Sequence, residues 1–357
     1  MVKTFRVVVA MSGGVDSSVA AALLANQGYE VIGLMLRLWS EPGNENENKC
    51  CTPDSIIHAR RVANILNIPF YVIDARHRFQ NQVVKHFIQG YSQGITPNPC
   101  LECNQSIRWG FLLEEAKKLG SQYLATGHYA RLERSSDGSI KLLKSLDKKK
   151  DQSYVMHMLN QNQLSSTLLP IGIYTKEEVR DLARNFSLPV YTRPESQDLC
   201  FLGKDSYQNF LRRNASNIEH RGNIYSHSGD LVGTHPGIAF YTIGQRKGLG
   251  IQSPQPFYVI DKITSTNSLI VGDKDTRANS KFNVINLNWI SGLPPDFARI
   301  FGVKIRYRSD EFLCEMIPIS QNKIKVNLIE PAEDITPGQA AVFYSGENCI
   351  GGGIISK

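Results

Sequence analysis

A chain of 357 residues, 41% hydrophobic and 20% charged, has the composition of a globular protein with two or three domains, not of a disordered or fibrous one. No stretch approaches the roughly 18 consecutive apolar residues of a membrane helix, and the N-terminal residues 1–10 run into a first strand without a cleavable leader, so the cytosol is the expected compartment. A net charge of +7 suits a polyanionic partner or simply a solvated cationic surface. Seven cysteines, an odd number in a reducing compartment, argue against a disulfide framework and for thiolate, metal-ligand or redox roles.

From the N-terminus to about residue 130, apolar runs alternate with helical patterns. Residues 5–10, 31–36, 70–73 and 123–126 read as strands of the fully buried kind. Residues 19–25 form a helical pattern stopped by Gly28. A second helix opens at Thr52-Pro53, a cap and first-turn pair, and sets Ala59, Val62, Ala63 and Leu66 on one face. Phe79, Val83 and Phe87 then recur every four residues, and residues 111–119 continue the alternation. This order predicts an α/β fold with a parallel sheet, whose ligands bind beyond the carboxyl ends of the strands. Residues 41–49, rich in Asn and Glu, read as a mobile surface loop.

Residues 132–158 read as a connection carrying a basic run, Lys144 and Lys148-Lys149-Lys150. Thr175-Lys176-Glu177-Glu178 is a capping box, followed by Val179, Leu182, Ala183 and Phe186 at helical spacing. Past residue 205 Gly, Pro, Asn and Ser become frequent and apolar runs shorten, as at 257–260, 268–271 and 323–329. That texture predicts small β-rich units, ending in a C-terminal β-barrel.

Ser12-Gly13-Gly14-Val15-Asp16-Ser17-Ser18 follows an apolar strand and leads into a helix predicted to start near Ser17 or Ser18. Its glycines let the backbone approach a phosphate, its successive N–H groups and small hydroxyls form an anion-binding concavity, and the helix adds a positive end. No Gly-x-x-x-x-Gly-Lys-Ser/Thr pattern occurs, which excludes a Walker-type site. The stretch resembles the loop of the adenine-nucleotide α-hydrolase superfamily, whose members cut ATP between the α and β phosphates. Such enzymes use Mg²⁺, and Asp16 is the candidate to hold it.

Thr96-Pro97-Asn98-Pro99-Cys100-Leu101-Glu102-Cys103-Asn104 carries a C-x-x-C ahead of a helix expected near residue 104, a position that raises thiolate character. Ser196-Gln197-Asp198-Leu199-Cys200-Phe201 supplies a third cysteine. No second C-x-x-C or C-x-x-H accompanies them, which argues against a structural zinc site. Cys50 and Cys51 are adjacent beside the polar loop, and Cys314 and Cys349 read as core fillers.

These motifs, with Ala125-Thr126-Gly127-His128-Tyr129, Lys150-Asp151-Gln152-Ser153-Tyr154, Thr242-Ile243-Gly244-Gln245-Arg246-Lys247-Gly248-Leu249-Gly250 and Thr336-Pro337-Gly338-Gln339-Ala340, span nearly the whole chain in order. The set resembles the bacterial tRNA-specific 2-thiouridylases. The resemblance implies a pyrophosphatase-loop catalytic domain at 1–204, a small central β-rich domain at 205–277 and a β-barrel at 278–357. It implies ATP at Ala10, Met11, Ser12, Gly13, Gly14, Val15, Asp16, Ser17, Leu36 and Gly127, and a wobble uridine at Asn98, Pro99 and Cys100. It places tRNA on His128, Lys150, Asp151, Gln152, Arg306, Tyr307 and Gln339. Cys200 would take a persulfide from a sulfur-relay or cysteine-desulfurase donor, Cys103 would be the partner nucleophile, and a Cys103–Cys200 disulfide would remain after transfer.

One position departs from the family. Its best-known motif has an Asp where this chain has Cys100, and a thiol is a far weaker general acid near neutral pH. The trio Cys100, Cys103 and Cys200 also suits a [4Fe–4S] cluster with one open iron, as in related tRNA-thiolating enzymes. Two other classes use the same loop or surface. An ATP-dependent ligase or amidotransferase would leave Cys103 and Cys200 idle, and an RNA-binding or redox-sensing module would leave the phosphate loop vestigial.

Overall fold

The computed structural model describes residues 5–43, 52–194, 199–203, 205–216 and 218–357. Residues 44–49 of the expected polar loop, Cys50, Cys51 and the Ser196-Gln197-Asp198 part of the third cysteine motif lie outside the described residues.

Five parallel strands form the first sheet: β1 (Arg6–Ala10), β2 (Glu30–Arg37), β3 (Phe70–Asp74), β4 (Tyr123–Ala125) and the two-residue strand Thr167–Leu168, in the order β3-β2-β1-β4 and then that strand. Pairing runs from Val7↔Val31 on one side of β1 to Val7↔Tyr123 on the other. Alternation along β1 divides the packing. Val7 and Val9 enter one apolar cluster with α1 (Val15–Asn26), α2 (Pro53–Ile65) and Val179 and Ala183 of the helix Lys176–Asn185. Val8 enters another with Trp109, Leu112 and Leu113. Covered on both faces, the strands carry the unbroken apolar runs read in the sequence. β3 departs from that expectation, with Tyr71 52% and Val72 36% exposed, because it is an edge strand with a single neighbour.

The caps are where the residues predict them. Thr52 Oγ1 accepts from the Ser55 N–H with Pro53 behind it, and Thr175 and Glu178 make the reciprocal capping box. The helix after the C-x-x-C begins earlier than expected. Asn98 caps it and Pro99 occupies its first position, so Cys100 stands in the first turn and Cys103 one turn deeper. The helix then continues with π-type winding over Cys103–Leu112 and α-type winding over Leu113–Lys118.

The central unit is a four-stranded sheet built from Gly222–Ser226, Leu231–His235, Tyr258–Ile263 and Ser268–Gly272. The C-terminal unit is a barrel of six strands: Ala278–Trp289, Phe301–Lys304, Phe312–Ser320, Lys323–Glu333, Ala340–Ser345 and Asn348–Ser356. It closes where the first strand pairs with the last, as at Val284↔Ile355. Residues 132–158 are more than a connection. Ala130–Arg134 and Ile140–Lys144 form a hairpin that joins the barrel sheet through Leu142↔Cys349. The basic residues hid that strand, because its partner lies some two hundred positions away. Cys314 and Cys349 are buried in apolar clusters, and burial pushes the Cys314 thiol up to about 12.

Candidate active site: a phosphate loop and a cysteine cluster

Strand order in the first sheet reverses at β1: the chain moves from β1 through β2 to β3 on one side and then returns to place β4 on the other. The loop leaving β1 therefore opens into the crevice at the carboxyl ends of the strands, where doubly wound sheets bind ligands. Ala10 and Met11 end β1, Leu36 lies near the end of β2, and Gly127 follows β4. All the expected nucleotide positions thus meet at one edge. The loop is held by its own hydroxyls: the Ser12 N–H donates to Ser17 Oγ at 3.1 Å, and Ser18 Oγ donates to the Gly14 carbonyl at 2.8 Å. Helix α1 starts at Val15, two residues earlier than the sequence suggested, and aims its N-terminal end at the loop. Two glycines are sterically required. Gly13 has φ +72° and a Cβ there would lie 2.3 Å from the Ser55 carbonyl oxygen, while a Cβ on Gly127 would lie 2.6 Å from the Ser17 nitrogen.

Asp16, in the first turn of α1, accepts at Oδ1 from the Tyr129 hydroxyl at 2.8 Å and from Lys176 Nζ at 2.6 Å. Its Oδ2 has no hydrogen-bond partner among the described residues. Arg193 grips the other side, donating through Nη1 to the Gly13 carbonyl at 2.7 Å and through Nη2 to Ser55 Oγ at 3.1 Å. Two cations therefore flank the phosphate loop. Neither was singled out from the sequence, where Lys176 counts only as part of a helix cap. No spacing signal links it to a carboxylate 160 positions away.

The cysteines lie on a different kind of ground. Cys103 is buried in a cluster with Phe79, Val83, Phe87, Ile107, Phe201 and Phe210, and Cys200 packs against the same cluster. Burying each such ring is worth about 1.5–3 kcal/mol. Leu36 packs against this cluster too, so the end of β2 touches both the nucleotide edge and the cysteine side. Cys100 is exposed, and its N–H donates to Asn98 Oδ1 at 3.1 Å. The earlier helix start places Cys100, and not Cys103, in the first turn of the helix. Among the described residues no three His, Cys, Asp or Glu side chains are gathered to hold a metal ion.

The residues expected to meet tRNA divide by environment. His128 is 6% exposed, donates from Nδ1 to Thr126 Oγ1 at 2.8 Å, and accepts at Nε2 from Arg108 at 3.1 Å. An arginine only donates, which fixes that tautomer. Burial, then the Arg108 charge, hold its pKa well below the usual histidine range. Asp151 accepts from the Ser145 and Ser153 N–H groups, and Gln152 clasps the Tyr129 backbone. Arg306 donates through Nη2 to Thr336 Oγ1 at 2.6 Å and to the Ile243 carbonyl at 3.3 Å, and Tyr307 packs edge-on to Tyr154. Gln339 Nε2 donates to the Thr96 carbonyl at 2.8 Å, two residues before Asn98. Lys150 is half-buried.

A parallel sheet with this loop at its switch point, flanked by a β-rich unit and a barrel, defines a pyrophosphatase-loop nucleotide enzyme with two appended domains. Comparison with known proteins agrees: residues 5–204 match the tRNA methyl transferase HUP domain, 208–273 the tRNA methyl transferase PRC-barrel domain, and 279–355 the aminomethyltransferase beta-barrel domain. The tRNA-specific 2-thiouridylase MnmA of Geotalea uraniireducens is 44% identical over 99% of this chain and 95% of that protein. The tRNA-specific 2-thiouridylase MnmA 1 of Caldanaerobacter subterraneus subsp. tengcongensis is 44% identical over 99% of this chain and 98% of its own. The chain belongs to the tRNA-specific 2-thiouridylase family. Among solved structures, an NMN synthetase from Francisella tularensis matches 59% of this chain and 76% of its own at 17% identity and TM-score 0.36.

Proposed function

We propose that this chain is a tRNA-uridine 2-sulfurtransferase, which activates the C2 oxygen of the wobble uridine with ATP and replaces it with sulfur carried on cysteine. The observation that carries this reading is the placement of Leu36, which joins the nucleotide edge of the sheet to the cluster containing Cys103 and bordered by Cys200. A small-molecule ligase would leave Cys103 and Cys200 idle.

The uridine O2 attacks the α-phosphorus of ATP, forming an O-adenylate and releasing pyrophosphate into the loop at residues 12–18. A Cys200 persulfide, loaded by a sulfur-relay or cysteine-desulfurase donor, attacks C2 through its terminal sulfur, and AMP leaves with the oxygen. The Cys103 thiolate then attacks the Cys200 sulfur, the S–S bond of the adduct breaks, and its electron pair forms the thiocarbonyl. A Cys103–Cys200 disulfide remains, which an external dithiol reduces for the next cycle.

Asp16 fits a Mg²⁺ ion, because its Oδ2 is uncommitted and this ion commonly takes one carboxylate beside substrate phosphates. Bound there, the ion would offset the charge of the leaving pyrophosphate. Lys176 and Arg193 would flank the same phosphates, and Asn98, Pro99 and Cys100 at the helix start would receive the extruded base. His128, Lys150, Asp151, Gln152, Arg306, Tyr307 and Gln339 would shape or contact the tRNA side. Unmodified tRNA incubated with the protein, ATP, Mg²⁺ and a persulfide donor is expected to yield 2-thiouridine by nucleoside mass analysis, with Cys200→Ser yielding none. An active Cys200→Ser enzyme would sink the persulfide role, and an inactive wild type would sink the function itself.

A further inference from the structure

The loop Thr242-Ile243-Gly244-Gln245-Arg246-Lys247-Gly248-Leu249-Gly250 in the central unit has no part in the chemistry above, yet it is built as a rigid projection. Ile243 and Leu249 are buried in the same apolar cluster as Cys103 and pin its two ends. Between them the Gln245 side chain braces the backbone, accepting from the Thr242 N–H and donating to the Lys247 carbonyl, while the Gln245 carbonyl accepts from the Val259 N–H. Gly244, at φ +84°, lies against the Asp334 carboxylate that Arg277 holds, and a Cβ there would be 2.5 Å from it. Gly248 turns the chain back at φ +78°.

What this scaffold presents is cationic. Arg246, Lys247 and Gly248 are exposed, and among the described residues neither cation has an acidic partner. The N–H groups of these three successive residues find no acceptor among the described residues either. Two positive side chains over a run of unused N–H donors match a phosphate group, as side-chain and main-chain contacts to nucleic-acid backbones do. The projection also shares a bonded frame with the target-base segment. Arg306 Nη2 reaches both the Ile243 carbonyl and Thr336 Oγ1, and Gln339, three residues after Thr336, holds Thr96 just before Asn98.

We propose that the side chains of Arg246 and Lys247 and the N–H groups of Arg246, Lys247 and Gly248 form a second tRNA contact, which binds backbone phosphates of the substrate through the central unit. This deepens the tRNA reading above and rests on it. Such a contact raises affinity without reading sequence, and it releases counterions in proportion to the phosphates neutralised.

The test is a fluorescence-anisotropy titration of unmodified tRNA at several KCl concentrations, using full-length wild type, Arg246→Ala/Lys247→Ala and the single Lys247→Glu. The double variant is expected to lose about tenfold in affinity at low salt. Its slope of log affinity against log salt should shrink by about one to two units, with ATP affinity unchanged. Inorganic pyrophosphate as competitor separates the sources of phosphate: tRNA binding that it does not displace from this loop supports the RNA contact. Unaltered tRNA affinity and slope in both variants would overturn the loop site while leaving the enzyme reading standing. A wild type that binds no tRNA would overturn both.

Discussion

The two halves of this active site are built on opposite plans. The phosphate loop is local: seven consecutive residues, closed by hydrogen bonds among Ser12, Gly14, Ser17 and Ser18 at the end of β1. The cysteine side is assembled from far apart. Cys103 shares its apolar cluster with helix residues around Phe87, with Phe201, and with Ile224, Val259 and Leu269 of the central unit, while the barrel pins the preceding loop through Gln339. ATP activation is thus anchored within one domain, whereas sulfur delivery depends on all three docking correctly. Substitutions on the two sides should therefore fail differently.

The largest expected effect tests whether the phosphate side is as self-contained as it looks. Lys176 pairs with Asp16 beside the phosphate loop, with its side chain only 11% exposed. Once a metal ion and phosphates occupy the crevice, that ammonium is placed to stabilise charge developing on the leaving pyrophosphate. Removing one preorganised donor of this type costs about 10²–10³ in rate. Lys176→Met is expected to slow tRNA-dependent adenylation by about a hundredfold, with tRNA affinity and its salt dependence unchanged. A kcat equal to wild type with only a raised KM would reduce Lys176 to a ground-state binding group.

The next effect should be smaller and fall on the other side. Gln339→Ala removes one hydrogen bond to the Thr96 carbonyl, worth about 1 kcal/mol, so thiolation is expected to fall by roughly five- to tenfold. ATP binding should not change, because Gln339 touches nothing at the phosphate loop. Equal losses in ATP affinity and thiolation would show that barrel and sheet act as one unit and would erase the contrast.

The same contrast decides how much the residues disclose in advance. The phosphate loop, the Thr52 and Thr175 caps and the parallel sheet are legible because each is carried by neighbours in the chain. Asn98-Pro99 also held a cap-and-first-turn signal, which places the helix start at Pro99 and not near residue 104. Lys176 on Asp16, Gln339 on Thr96 and the pairing of Leu142 with Cys349 are contacts between distant segments. Nothing in local propensity or spacing encodes them, so only the folded chain reveals them. Cys103 and Cys200 lie between these cases: the motifs mark each cysteine, and the shared cluster appears only when the central unit is in place.

The smallest effect probes the joint between the two plans through pH. His157 is fully buried where the barrel meets the sheet, with Gly352 of the last strand packed on its ring. Its Nδ1–H donates to the Tyr154 carbonyl at 2.7 Å, and its Nε2 has no partner, so a second proton would place an unpaired charge in the core. Burial lowers its pKa to about 4, against 6.5 for a free ring, and His128 is lowered in the same direction by burial and Arg108. The unfolded chain therefore takes up these protons before the folded one does. Both contributions are fully present above pH 6.5 and diminish as pH falls through that value towards the folded pKa, by on the order of 1 kcal/mol per pH unit for each ring. Urea unfolding between pH 7.5 and 5 should show this fall, and His157→Gln should flatten part of it. Loss of the barrel–sheet joint should come first, so thiolation is expected to decline at a higher pH than binding of a non-hydrolysable ATP analogue. Coincident declines would mean that acid strikes the phosphate side as early as the joint, and that the division of labour drawn between the two sides does not hold.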